Sequence, residues 1–293
     1  MKNFELEKII LGHNPLFGVD HLSQEQGNIK ELKFEDKNLI TDVLLYAKSL
    51  GVNAMMMSTH PRSEVVVDII RNNKELIDMK IYPLLPYIRK YVRKSNEKGM
   101  LNLALEIMNK ANLKQKFSIM INSGKSILGK DINQMIKLAV DVEFLTFKEL
   151  NIGAIFLHDA LTDLALGLDL ISSLEIFRDH IQNKYGVPAG FITKNVYNFR
   201  NKVDERGWKD YLIMASINKA GFFVNPSLNI AIDSINKPGM NFIAMSTLAG
   251  GALKPGDAFK FIGEETKIKS VVVGMSKKEH IAETVSMINK FIK

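Results

Sequence analysis

Short apolar runs alternate with amphipathic segments along the whole length of this 293-residue chain. The apolar runs have the length of buried strands. A typical intervening segment, Asp36 to Leu50, carries its apolar residues at helical spacing before Gly51 ends it. The strand–helix unit recurs about every 30 residues without a linker or low-complexity stretch. This alternation predicts a parallel sheet with right-handed crossovers. The length fits one (β/α)8 TIM barrel that occupies residues 1–293 as a single α/β domain.

The number of strand-like segments exceeds the eight places in such a barrel. The candidates are 8–12, 52–57, 81–88, 117–121, 153–157, 189–193, 211–215, 242–245 and 271–273. One of these about nine segments must therefore lie outside the barrel. The weakest are Phe117–Ile121 and Ile81–Ile88, because Pro83 and Pro86 interrupt the latter and proline cannot donate to a strand ladder.

Composition narrows the functional classes. The chain has no cysteine, which excludes disulfides, thiolate nucleophiles and cysteine-ligated metal. Its net charge of +7 comes without a dense basic block interleaved with aromatics, so nucleic acid is not an expected partner. An anionic small molecule, or simply solvated lysines, accounts for that charge equally well. Acidic residues near the N-terminus argue against a secretory signal, and no apolar run reaches membrane-spanning length. We therefore expect a cytoplasmic protein without a membrane partner.

Polar residues follow the strand-like runs, at the positions where parallel barrels place their active sites. They are His13, Asn14, Ser58, His60, Arg62, Asn122, His158, Asp159, Lys194, Ser216, Asn218 and Ser246. Three of the six histidines directly follow such runs, and histidine can transfer protons near neutral pH. A single loop histidine is more often solvated or structural. For three at strand ends, however, the pattern predicts that at least one has a function.

Two segments near the C-terminal end suggest an anion site. The strand 242–245 leads into the small-residue run 249–252, where a backbone can approach a ligand closely. The strand 271–273 is followed by Ser276-Lys277-Lys278-Glu279, which has the spacing of a capping box at the start of a helix. Lysines beside the free N–H groups of a helix N-terminus favour a phosphate.

Both segments resemble the aldo-keto reductase superfamily. In that family, a strand that ends in serine and the Leu-x-x-Gly-x-Leu loop after it flank the cofactor pyrophosphate. The later strand–glycine–helix unit flanks the adenosine 2′-phosphate. The resemblance implies NADP-binding roles for Ser246, Leu248, Gly250 or Gly251 and Leu253, and for Gly274, Ser276, His280 and Glu283. Lys254, at the end of the loop, and Lys277, at the helix N-terminus, complete the candidate cofactor-binding set. Thr284 stands where the family usually has asparagine.

The resemblance extends to the middle of the chain but not to its first half. The run 151–159 resembles the family strand whose final histidine hydrogen-bonds the substrate carbonyl, which implies that role for His158. The run 208–218 resembles a later strand that ends in asparagine. The family also needs an aspartate and a tyrosine after the second strand and a lysine at the third. The run 54–62 has neither of the first two, and 84–90 has no lysine at the strand end. Tyr87 could serve as a displaced acid, although its spacing does not support this.

These observations leave three hypotheses open. The first is an aldo-keto reductase-like, NADP-binding oxidoreductase with a non-standard catalytic set around His158. The second is a non-redox lyase, aldolase or isomerase acting on an anionic substrate, in which Lys194 forms a Schiff base or His158 and His60 transfer protons. The third is an inactive binding barrel. The wider catalytic set comprises His158, Asp159, His60, His13 and Lys194, and the substrate set comprises Asn14, Arg62, Asn122 and Asn218. No spacing typical of a metal site occurs, so we expect no metal.

Overall fold

The computed structural model describes residues 5–19, 23–87 and 132–293. Its eight strands form a closed barrel in which each strand pairs in parallel with the next and β8 pairs with β1. The strands are β1 Ile9–Gly12, β2 Ala54–Ser58, β3 Lys80–Leu85, β4 Ile155–Leu157, β5 Ala189–Thr193, β6 Tyr211–Ser216, β7 Met240–Met245 and β8 Ser270–Gly274. This architecture confirms the predicted (β/α)8 barrel.

Helices follow the strands on the outside of the barrel. Within the described residues they are α1 Gln24–Lys33, α2 Lys37–Ser49, α3 Ser63–Asn72, α4 Ile132–Phe144, α5 Asp159–Gly167, α6 Ile171–Tyr185, α7 Val196–Glu205, α8 Leu228–Asn236, α9 Pro255–Glu265 and α10 Lys278–Phe291. Short 3-10 turns occupy Asn14–Phe17, Leu145–Phe147 and Ala249–Gly251. None of the described helices is both long and apolar enough to cross a membrane.

Apolar side chains form one core inside the barrel and another between the strands and the helices. The inner core includes Met56, Phe156 and Met214, whereas strand neighbours such as Met55 and Ile155 belong to the outer core. Because strand side chains alternate between the two faces, positions two residues after these inner ones continue the inward series. Ser58, His158 and Ser216 are those positions, and they lie at the carboxyl ends of β2, β4 and β6. The strand period thus directs polar side chains towards the mouth of the barrel.

The segment predicted over Ile81–Ile88 contributes a barrel strand. The alternative in which it is the strand-like segment outside the barrel is therefore wrong. Lys80–Leu85 is this strand, and its residues 80–84 pair with β2. Its pairing with the β4 side changes register, because Ile81 is bridged to Ile152 whereas Leu84 pairs with Phe156. The missing N–H of Pro83 therefore falls at an irregularity in the ladder, where it costs little. The other alternative, Phe117–Ile121, lies outside the described residues.

The β3–β4 irregularity depends on Gly153. A Cβ atom at this position would lie 2.7 Å from side-chain atoms of both Lys80 and Tyr82. Only a residue without a side chain fits there, so the one-residue shift that brings β4 into register needs this glycine.

One helix was missed from the sequence. Gln24–Lys33 is helical, although no helix is predicted before Asp36 from the sequence. Its sequence is polar and contains Gly27, so it offers little of the apolar periodicity by which a helix is recognised.

Candidate active site

His158 stands where β4 turns into α5, and Asp159 holds its ring. The Nδ1 atom of His158 is 2.6 Å from Oδ1 of Asp159 and 3.2 Å from the backbone N of Ala160. One nitrogen cannot accept from an amide and donate to a carboxylate at the same time. The contact with the carboxylate is the shorter and involves a charged partner, so we assign the proton to Nδ1. The Nε2 atom of His158 is then the ring nitrogen left to exchange a proton with a ligand.

Lys194, at the end of β5, completes the cluster. Its Nζ atom is 3.5 Å from Oδ2 of Asp159, so the carboxylate lies between an imidazole and an ammonium group. Burial disfavours ionisation of Asp159, but the hydrogen bond and charge of His158 and the charge of Lys194 outweigh it. The pKa of Asp159 is therefore below its ordinary value. The carboxylate stays ionised at neutral pH and can stabilise a protonated His158.

A second carboxylate, Asp163, fixes the end of β5. Its oxygens accept hydrogen bonds from the Thr193 hydroxyl at 2.5 Å and from the Lys194 backbone N–H at 3.0 Å. Burial raises the pKa of Asp163, and the nearby charge of Asp159 adds to the rise. The two aspartates thus shift in opposite directions, a pattern often found where protons are handled. Sequence reasoning missed Asp163, although its spacing of one helical turn from Asp159 was a usable signal.

His13 lies on the opposite side of the mouth and pairs with Ser58. Its Nδ1 is 3.0 Å from the carbonyl oxygen of Met56, and its Nε2 is 3.2 Å from Oγ of Ser58. Because a carbonyl can only accept, Nδ1 carries a proton, and a neutral ring accepts the Ser58 hydroxyl at Nε2. His13 is therefore held at both ring nitrogens.

His60 is packed among aromatic rings. It stacks on Phe17 with centroids 5.1 Å apart and meets Tyr87 edge-on at 6.0 Å, and Phe17 also contacts His13 at 4.8 Å. Its Nδ1 accepts the Arg62 backbone N–H at 3.3 Å. Burial lowers the pKa of His60, and the charge of Arg62 lowers it further against the opposing effect of Glu31. The structure thus places His60 as a neutral packing residue and separates it from the His158 cluster.

Glu143 is a buried carboxylate that sequence reasoning did not single out. From α4 it reaches the ends of two strands, where it accepts hydrogen bonds from the Thr59 hydroxyl and, at 2.8 Å, from the Tyr87 backbone N–H. Only 2% of its surface is exposed. The sequence signal was a glutamate on the apolar face of a helix, one turn after Val140. Glu143 positions the loops that carry His60 and Tyr87.

The predicted substrate residues lie in different surroundings. Asn14 opens the 3-10 turn after β1, next to His13. Arg62 donates through Nη2 to the Glu31 carbonyl oxygen at 2.5 Å, which ties the β2–α3 connection to α1. Asn218 is fully buried, so direct contact with substrate is not supported there. Asn122 lies outside the described residues.

The loop after β7 has backbone conformations that would let a ligand come close to its main chain. Ser246, Ala249, Gly250 and Gly251 all have positive φ angles, and both glycines are exposed, as is Lys254 at the cap of α9. The Ser216 hydroxyl donates to Oγ of Ser246 at 3.1 Å. The N–H groups of residues 249, 251, 252 and 253 bond to carbonyls of the same loop. These four groups are therefore not directed at a ligand, which is a difference from a loop that cradles phosphate with all of its amides.

The N-terminus of α10 follows β8 without a capping side chain. The helix begins at Lys278 with Lys277 as its cap, one residue later than the predicted capping box at Ser276, and no side chain bonds its first N–H groups. Lys277, Lys278, His280 and Glu283 are exposed, whereas Ser276 is half-buried. The first turn thus presents free backbone donors and cationic side chains to solvent.

A closed parallel barrel with a partly exposed histidine–carboxylate–lysine cluster at its mouth defines a (β/α)8 protein with groups able to transfer protons. No family model matches the sequence, and no curated protein matches it either. The structure resembles that of a provisionally assigned aldo-keto reductase from Pseudomonas aeruginosa, with a TM-score of 0.58 and 15% identity over 98% of this chain and 92% of that one. A second such structure from the same organism gives 0.58 and 14%, over 98% and 91%. The predicted resemblance to aldo-keto reductases is confirmed at the level of the fold.

Proposed function

We propose that this protein is an NADP-dependent oxidoreductase that reduces a carbonyl group, with His158 as its proton-transfer residue. The observation that carries the proposal is the arrangement of His158, Asp159 and Lys194 at the mouth of a barrel with the aldo-keto reductase fold.

The residues at the ends of β7 and β8 fit a phosphate-bearing cofactor. The uncapped first turn of α10 and the exposed Lys277 and His280 suit the 2′-phosphate, because backbone N–H groups and positive charge meet there. Exposed Gly250 and Gly251 leave room beside the loop after β7. NADPH supplies a hydride when it is bound.

The protein's own contribution is a proton for the carbonyl oxygen. With Asp159 accepting the Nδ1 proton, protonated His158 can donate from Nε2 to an oxygen that gains negative charge. The carboxylate stabilises the imidazolium before transfer and keeps the ring in one orientation afterwards. Lys194 adds positive charge on the far side of Asp159 and holds that carboxylate in place.

The Schiff-base alternative receives no support from this geometry. Lys194 is half exposed and lies beside a carboxylate, whereas a nucleophilic lysine needs a neutral amine in an apolar or cationic environment. The lyase and isomerase alternatives in which histidines transfer protons have no observation that favours them over reduction.

A titration with NADPH followed by turnover tests the proposal. We expect NADPH fluorescence to shift and saturate as protein is added. We also expect slow reduction of simple aldehydes, because the strand-end aspartate, tyrosine and lysine of the resembled family are absent at β2 and β3. NADH and a protein-free blank are the controls. If neither dinucleotide binds at high micromolar concentration, the proposal is wrong and a non-redox reaction takes its place.

A further inference from the structure

Phe223, in the loop after β6, combines an exposed ring with an unfavourable backbone. Its φ angle is 57°, in the left-handed region that bulky residues rarely adopt, and 48% of its surface is exposed. Strain of this kind persists where the surrounding structure imposes it, and it concentrates at functional sites. An exposed aromatic side chain gains little from folding, so packing does not explain why this one is held here.

The loop that imposes this conformation is built around Asn218. The buried amide of Asn218 accepts from the Phe222 N–H at 2.9 Å and donates to the Phe222 carbonyl at 2.8 Å and the Ser246 carbonyl at 3.1 Å. The ring of Phe222 packs on that of Phe223 with centroids 4.0 Å apart. The loop is therefore fixed to the β7 end of the mouth at the residue that precedes Phe223.

The ring of Phe223 faces the proposed catalytic cluster. The Nζ atom of Lys194 lies 5.7 Å from the ring centroid of Phe223 and 3.5 Å from Oδ2 of Asp159, whose other oxygen meets His158. A row of side chains in contact thus runs from Phe223 in the β6 loop, through Lys194 and Asp159, to His158 at the end of β4. Two more exposed apolar side chains belong to segments next to Lys194: Leu164 follows Asp163, which accepts the Lys194 backbone N–H, and Tyr197 lies in the first turn of α7.

From these observations we propose that Phe223 is a specificity-determining residue that contacts substrate, and that the substrate carries a planar aryl group on its carbonyl carbon. This inference rests on the proposed carbonyl reduction. An aryl group packed against Phe223 by offset or edge-to-face stacking would lie beside Lys194, whose ammonium group contacts the same Asp159 carboxylate as His158. An alkyl carbonyl would gain less from the same ring.

The test compares 4-nitrobenzaldehyde with butanal in the wild type and in Phe223→Gly. Glycine removes the ring and relieves the backbone strain, so the melting temperature should not fall. We expect the ratio of the two kcat/KM values to drop about tenfold in Phe223→Gly, in line with the loss of one aromatic contact. Phe223→Tyr should keep the wild-type ratio. Ile77→Ala is the matched control, because Ile77 is a similarly exposed apolar residue that precedes β3 at the opposite end of the barrel.

A binding experiment separates this inference from the proposed function. Isothermal titration with 4-nitrobenzyl alcohol needs no cofactor and no turnover. Wild-type binding that weakens about tenfold in Phe223→Gly, and not in Ile77→Ala, supports the aryl contact even if NADPH does not bind. Equal affinity in wild type and Phe223→Gly, an unchanged substrate ratio, or a lower melting temperature with unchanged binding would overturn it and leave Phe223 a structural residue.

Discussion

At the ends of β4 and β5, His158 is partly exposed and meets a carboxylate, whereas at the ends of β1 and β2 His13 and His60 contact Phe17 and bond to a hydroxyl or to backbone atoms. Both sides of the mouth thus carry histidines directly after strands. They differ in what surrounds the imidazole. A neighbouring anion stabilises the charged ring, and burial among aromatic rings stabilises the neutral one.

The difference shows why position after a strand is an incomplete guide to a proton-transfer residue. The same residue type at equivalent places in the barrel serves proton transfer in one environment and packing in the other. All three histidines are half-buried, so exposure does not separate them. The feature that points to proton transfer at His158 is the Asp159 carboxylate 2.6 Å from its Nδ1 atom.

The largest expected effect comes from removing the imidazole of His158. His158→Gln should lower kcat/KM for an aldehyde by roughly the factor of 10²–10⁴ typical of general acid–base groups. Its melting temperature should stay close to that of the wild type, because the side chain is partly exposed and glutamine also offers polar atoms to the Asp159 carboxylate and the Ala160 N–H. Steady-state kinetics and thermal unfolding measure the two quantities.

His60→Gln is the matched control across the mouth and should reverse the pattern. We expect a lower melting temperature from the lost stacking on Phe17 and a much smaller loss of rate. If His60→Gln abolishes turnover while His158→Gln does not, the two sides of the mouth have been assigned the wrong way round.

A smaller effect should appear in the pH dependence of stability. Because the pKa of His60 is lowered from 6.5 in the folded protein, the unfolded chain takes up this proton first as the pH falls. The free energy of unfolding should therefore decrease below pH 6.5, until the folded protein also binds the proton. Urea unfolding at several pH values should show that the free energy of unfolding falls less steeply with decreasing pH in His60→Gln than in the wild type. Identical slopes in His60→Gln and wild type would contradict the burial argument, and His158→Gln serves as the reference variant.

The smallest effect concerns the first turn of α10, which follows β8. Replacing Lys277 and His280 together by alanine should weaken NADPH binding several-fold, because both exposed side chains would be lost from beside the free backbone N–H groups proposed to hold the 2′-phosphate. Lys290→Ala, at the other end of the same helix, controls for a general loss of charge. Fluorescence titration measures the affinities. Equal affinities in the double variant and in Lys290→Ala would contradict a phosphate-binding site at the start of α10.

Particular residues show how far the sequence could predict the fold and the candidate site. The run 153–157 is apolar and short, so its strand and the place of His158 after it were readable from the chain alone. Pro83 argues against a strand at Lys80–Leu85 when only the sequence is considered. The irregular β3–β4 pairing that tolerates this proline is a contact between distant segments, so the sequence does not reveal it. Asn218 was predicted to bind substrate, but the Phe222 and Ser246 groups that occupy its amide are defined only by the folded loop.

By itself, the sequence determined the order of strands and helices and which residues follow each strand, because hydrophobic periodicity and strand length are properties of neighbouring residues. The tertiary structure alone decided that Asp159 meets Lys194 as well as His158, that Glu143 reaches the ends of β2 and β3, and that His60 stacks on Phe17. These relations join positions far apart in the chain, and the desolvation and charge that shift a pKa exist only once those positions are in contact.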